Sequence, residues 1–111
     1  MPHVILASGS PYRRELLSRL ISDFQSVAPN VDEDLAKSSG LGPDEIARHL
    51  ALAKAEAIAS KHTDAIVIGS DQVADLNGQL LGKPHTVEEA CDQLRLMSGT
   101  EHRLITAVCL C

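Results

Sequence analysis

The stretch His3-Val4-Ile5-Leu6-Ala7-Ser8-Gly9-Ser10-Pro11-Tyr12-Arg13-Arg14 decides the fold. Five mostly apolar, partly β-branched residues give way to small hydroxyl residues, a glycine and a proline. That order predicts a buried strand running into a tight loop and then a helix. Pro11 suits the first helical position, where its missing N–H costs nothing, and Ser10 suits the N-cap. Leu16, Leu17, Leu20 and Ile21 then mark one apolar face of the helix.

Outward from this unit, residues 24–28 alternate as a strand exposed on one side, and residues 30–42 read as a polar, acidic loop. A long helix follows from about Pro43 to Lys61, with Ile46, Leu50, Ala53, Ala57 and Ile58 on its inward stripe. Residues 65–69 form a second buried strand that leads into Ser70-Asp71-Gln72-Val73. Asn77-Gly78, between Leu76 and Leu80, predicts a two-residue hairpin turn. Thr86-Val87-Glu88-Glu89 has the form of a capping box, so a third helix runs from about Val87 to Ser98 and stops at Gly99. A final strand begins at Arg103. The series predicts an α/β domain with a mixed sheet and flanking helices, without internal repeats.

At 111 residues and 44% hydrophobic, the chain suffices for one core and not two. A net charge of −5 excludes the broad basic field that holds nucleic acid or an anionic membrane, so any anion is caught locally. No apolar run approaches the roughly 20 residues of a membrane span, and the start lacks a secretory leader's basic and long apolar segments. The expected location is the cytoplasm. Cys91, Cys109 and Cys111 are an odd number without ligand spacing, which predicts reduced, mostly buried thiols and neither a disulfide framework nor a zinc site. The closing RLITAVCLC stops inside an apolar run, which predicts a fragment or truncated form and an apolar edge at residues 104–110 suited to a homodimer.

The residues that carry chemistry fall at the junctions. Ser8, Gly9 and Ser10 sit where a strand hands over to a helix N-terminus, whose free N–H groups favour phosphate. Arg13 and Arg14 oppose the helix dipole there at a cost of some tenths of a kcal/mol, which an anion between them would offset. Arg13 lies three and four residues before Leu16 and Leu17 and so shares their face; a pair of surface arginines with Ser10 as a simple cap is the alternative. Lys54 interrupts the apolar stripe between Leu50 and Ile58, either snorkelling or reaching a phosphate. Asp71 follows a buried strand at the carboxyl edge of the sheet, where a general base or a metal-binding carboxylate belongs, or a turn aspartate. Glu33, in Val31-Asp32-Glu33-Asp34, is a second acidic candidate or a solvated loop residue. Lys83, in Leu81-Gly82-Lys83-Pro84, is biased to an extended backbone. His3, His49, His62, His85 and His102 show no metal-ligand spacing, and GxSxG, Walker A and GxGxxG are absent.

Taken in order, Leu6-Ala7-Ser8-Gly9-Ser10-Pro11-Tyr12-Arg13-Arg14-Glu15-Leu16-Leu17, Val31-Asp32-Glu33, Leu52-Ala53-Lys54-Ala55, Gly69-Ser70-Asp71-Gln72-Val73, Gly82-Lys83-Pro84 and Ser98-Gly99 resemble the Maf family of nucleoside triphosphate pyrophosphatases. The resemblance covers the whole chain. It implies an elongated Maf/inosine-triphosphatase-like fold with a nucleotide cleft between two lobes, a divalent cation such as Mg²⁺ or Mn²⁺, and cleavage between the α and β phosphates. Ser8, Ser10, Arg13, Arg14, Lys54 and Lys83 would hold the triphosphate and offset its charge. Asp71 would activate water, and Glu33 would either help Asp71 to bind the cation or orient that water. Gln72, where many members have threonine, is similar to the branch that prefers 7-methyl-GTP over dTTP and UTP.

Two departures from the family pattern stand out. Thr106-Ala107 replaces the usual Thr-Gly, and about half of the family's chain, with the second lobe and a glycine-rich segment, is absent. Residues 1–111 would thus be the N-terminal part of a single domain lacking its C-terminal lobe. Tyr12 and Phe24, the only aromatics, offer little for stacking a base. The competing readings are a dTTP/UTP or inosine-triphosphate pyrophosphatase, and a non-catalytic nucleotide-binding or cell-division-related protein.

Overall fold

The computed structural model describes residues 3–81 and 86–111. Its elements are β1 (His3–Ala7), α1 (Pro11–Ser18), β2 (Gln25–Ser26), α2 (Glu33–Lys37), α3 (Pro43–Ala59), β3 (Ala65–Leu76), β4 (Gln79–Leu81), α4 (Val87–Met97) and β5 (Arg103–Leu110). The expected mixed sheet is present. β1 pairs in parallel with β2 and β3, while β4 and β5 run antiparallel to β3.

β3 organises the domain. Its first residues pair with β1 up to Ala7 opposite Gly69, and its last pair with β4 from Ala74 opposite Leu81. β5 lines the other edge from Ile68 to Asp75. Among the described residues, no strand pairs with residues 70–73 on the β1 side. The sequence reading ended this strand at Gly69, so Asp71 was expected just after it. The strand in fact continues, because β5 supplies a partner that lies far away in sequence. Asp71 still lies beyond the carboxyl end of parallel β1, which is where the loop at residues 8–10 leaves the sheet.

α3 covers one face of the sheet through Ile46, Ala47, Leu50, Ala51, Ala55 and Ile58, all buried. Ala53 and Ala57 were expected on this stripe but are only half-buried. The contact face is made of small residues because the helix lies very close to β3. A Cβ built on Gly69 would fall 2.3 Å from Ala51 O and 2.8 Å from Ala55 Cβ, so only glycine permits the approach. Two apolar clusters result. Ile5, Ala7, Ala55, Ile58 and Val67 form one, and Ala36, Ile46, Ala47, Leu50 and Val73 the other.

Several local expectations need correction. The strand at residues 24–28 shortens to Gln25–Ser26. The loop at residues 30–42 contains α2, capped by Asp32 Oδ1, which accepts from the N–H of Asp34 and Leu35 at 3.1 and 3.3 Å. Glu33 and Asp34 in its first turn and Lys37 in its last suit the helix dipole. The cysteines are free, but Cys91 and Cys111 are exposed and Cys109 is half-buried. Cys91 stands on α4, which, like α1, buries no residue. Leu16 and Leu20 of the expected α1 face are exposed, Leu20 at 85%. These two helices stand off the core, and the radius of gyration is 15.5 Å against roughly 13 Å for a compact chain of this length.

The two turn predictions hold. Asn77 and Gly78 have φ of 52° and 87° in the β3–β4 hairpin, and Thr86 caps α4 by accepting from Glu89 N–H at 3.1 Å.

Candidate functional site

The site forms where β1, α1, α2, α3 and β3 meet. Side chains alternate along β3, so Val67, Gly69, Asp71 and Val73 face α3 while Gln72 faces away and is exposed. Lys54 is four residues after Leu50 and is aimed at the same sheet face. The close approach at Gly69 brings its Nζ to 2.8 Å from Asp71 Oδ1. The N-terminus of α2 supplies Glu33, whose Oε1 is also 2.8 Å from Lys54 Nζ. One ammonium therefore bridges two carboxylates in the gap between the two apolar clusters.

Burial grades the three side chains. Asp71 is 7% exposed, Lys54 12% and Glu33 44%. Asp71 Oδ2 is buried without a hydrogen-bond partner. A buried ion pair contributes little net stability because desolvation offsets the attraction, yet losing one partner costs about 3–5 kcal/mol. The fold alone would be as well served by apolar side chains here, so the charges point to chemistry.

Ser8 and Ser10 shape the loop that borders this cluster. Ser10 Oγ accepts from Arg13 N–H at 3.3 Å and caps α1, as expected, and Ser8 Oγ accepts from Ser10 N–H at 3.0 Å. Among the described residues neither hydroxyl donates a hydrogen bond. The first turn of α1 holds no acidic residue, so its positive end favours an anion. A cavity of about 470 Å³ is walled by this loop with Arg13, Glu33 and Lys54. Arg14 turns to a second concavity of about 520 Å³ on the other side of the loop, with Ser18 and Ser26. Neither arginine forms an ion pair among the described residues.

The structure thus brings together Ser8, Ser10, Arg13, Glu33, Lys54 and Asp71. It sets Arg14 on the neighbouring concavity and Gln72 on the opposite sheet face, because adjacent residues of a strand point to opposite sides. Lys83 lies outside the described residues. The sequence reading missed Asp75, buried on the α3 face four residues after Asp71 and held by Arg103. The alternation Asp71-Val73-Asp75 was the available signal, hidden by ending the strand too early.

Two hard carboxylates, one with a buried oxygen lacking a hydrogen-bond partner, fit a divalent cation such as Mg²⁺, which takes one or two carboxylates and completes its shell with water and phosphate oxygens. A cluster of three protein ligands is not needed for this, and none of three or more His, Cys, Asp or Glu occurs among the described residues. No helix among the described residues is long and apolar enough to cross a membrane.

Fold and site define an α/β domain with a carboxylate–ammonium cluster at the end of its parallel strands. The chain belongs to the Maf-like protein family, whose model matches residues 3–111. It is 50% identical over 110 residues to a Pseudomonas aeruginosa protein named 7-methyl-GTP pyrophosphatase, covering 99% of this chain and 56% of that one. A Xanthomonas axonopodis pv. citri protein of the same name is 54% identical over 110 residues, covering 99% and 57%. The chain therefore spans a little over half the length of these curated relatives. Among solved structures, protein VC0702 from Vibrio cholerae matches with a TM-score of 0.45 and 18% identity, over 86% of this chain and 72% of that one.

Proposed function

We propose that the chain is the N-terminal part of a single-domain nucleotide pyrophosphatase that hydrolyses 7-methyl-GTP to the monophosphate and diphosphate. The observation that carries this reading is the Lys54 bridge between Glu33 and Asp71 beneath a serine loop and helix N-terminus, at 2.8 Å on both sides. The substrate preference rests on the names of the relatives that span this chain.

Ser8, Ser10 and Arg13 would hold the triphosphate in the cavity they wall, with Lys54 and Lys83 adding charge. Arg14, on the far side of the loop, would contact a more distant part of the substrate. Asp71 would take the proton from a water that attacks the α phosphorus as the bond to the β-phosphate oxygen breaks, and diphosphate leaves. Glu33 and Asp71 would hold Mg²⁺ or Mn²⁺, which when bound polarises phosphate oxygens and neutralises the leaving group. Gln72, on the opposite face, would affect specificity only from outside the cluster. The acidic net charge argues for a small-molecule substrate over nucleic acid or membrane, and the cytoplasm is the natural location for such chemistry.

The test is diphosphate release from 7-methyl-GTP, dTTP, UTP and GTP with Mg²⁺ or Mn²⁺, for this chain beside Asp71→Asn. Turnover preferring 7-methyl-GTP and falling about 10²–10⁴-fold in the variant, as expected for loss of a general base, supports the reading. Preference for dTTP or UTP would overturn the substrate assignment. Nucleotide binding without turnover would mark the chain as a binding module.

A further inference from the structure

Lys54 stands between the cavity and Asp71. Its side chain walls the cavity together with Glu33, whereas Asp71 is not among the walls and is buried. We propose that Lys54 is a stand-in cation. Its ammonium holds Glu33 and Asp71 until a divalent cation takes the carboxylates, and it then swings into the cavity onto the phosphates of the substrate. The inference rests on the metal reading above and adds to it a coupling between cation and triphosphate through one side chain.

Charge and geometry carry the proposal. Lys54 lies 2.8 Å from one oxygen of each carboxylate, so a divalent cation taking those same oxygens would come to rest beside the ammonium. Ammonium and divalent cation would then repel at near contact, in a place where little water screens them. Lysine suits such an exchange, because its charge rides on a flexible four-carbon stem and can move without the helix moving. Arg13 walls the same cavity, so a displaced ammonium joins the group that attracts an anion. A cation alone must compete with Lys54, whereas a cation with a triphosphate gives Lys54 a new partner. The two ligands then bind cooperatively.

The test uses Mn²⁺ alone, followed by the electron paramagnetic resonance signal of the free ion, on this chain and on Lys54→Met and Lys54→Arg. Lys54→Met is expected to bind Mn²⁺ about tenfold more tightly, while Lys54→Arg keeps the charge and does not tighten. In the unsubstituted chain, Mg²⁺ is expected to raise the acylation rate of Lys54 severalfold while leaving exposed Lys61 unchanged. This second arm needs no substitution and decides the matter should Lys54→Met not fold. Mn²⁺ binding that stays equal or weakens in Lys54→Met, or labelling indifferent to saturating Mg²⁺, overturns the exchange and leaves the pyrophosphatase reading standing. Absence of Mn²⁺ binding in every form overturns the exchange and the metal reading together.

Discussion

Asp75 and Arg103 face each other across β3 and β5, and Asp75 Oδ2 accepts from Arg103 Nη2 and Nε at 2.7 and 3.2 Å. Asp75 Oδ1 accepts from Gly78 N–H at 2.7 Å. Arg103 also lies 3.6 Å from Asp44 in the first turn of α3. One buried carboxylate thus ties the edge strand to the hairpin turn, and its partner reaches the helix.

The hydrogen bond from Arg103 holds the Asp75 carboxyl below its ordinary range against the upward push of burial, with Gly78 N–H adding to the lowering. The folded state therefore gives up this proton more readily than the unfolded state. Its stabilisation is complete above the ordinary carboxylate pKa of about 4 and is lost as pH falls through that range to the lower folded value. Asp75→Asn should lower the Tm at pH 7, and the gap to the parent should close as pH is taken below the carboxylate range. Circular dichroism melts across that range check this.

Gly69→Ala should be costly out of proportion to one methyl group. The new Cβ would meet the Ala51 carbonyl and push α3 off the sheet. A loss on the order of 1–3 kcal/mol is expected from overpacking, read as a lower midpoint in urea. The Lys54–Asp71 contact would lengthen as well, so under the proposed function diphosphate release should fall by more than the stability loss explains.

The stability of the domain should be lopsided. Leu50→Ala, under α3 at 1% exposure, is expected to cost about 2–5 kcal/mol. Leu20→Ala, just beyond the standing-off α1, should stay within about 0.5 kcal/mol. Denaturant titrations of the two variants side by side measure the contrast.

Leu104, Val108 and Leu110 of β5 are each more than 60% exposed and lie on the face away from α3. Among the described residues the outer edge of β5 has no strand partner. The chain should self-associate through this strand at micromolar concentrations, and Val108→Lys should shift it toward monomer in sedimentation velocity. A parent that sediments as a monomer at all concentrations would remove the homodimer.

Much of this was legible in local chemistry. Ser10-Pro11, Asn77-Gly78 and Thr86 announce their turns and caps through backbone rules that need no tertiary context. Arg13 stood out because it opposes the dipole of its helix, Lys54 because it interrupts an apolar stripe, and Asp71 because it follows a buried strand at the carboxyl edge of the sheet. The rest depended on distant partners. The continuation of β3 past Gly69 requires β5 more than thirty residues later, so Asp75 stayed unseen. Ala47, Ala51 and Ala55 could be recognised as the contact stripe only once Gly69 was placed beneath them. The opposite orientations of Asp71 and Gln72 follow from alternation, but only if the strand is known to run through both.

The two apolar clusters lie on either side of the charged gap that holds Lys54, Glu33 and Asp71, so the proposed site is also a seam in the core. Any ligand that neutralises the seam acts as mortar between the two halves. Heating the protein then becomes a way to read occupancy: a divalent cation seated there should raise the melting temperature of the domain, by an amount that grows with the logarithm of its concentration over its dissociation constant.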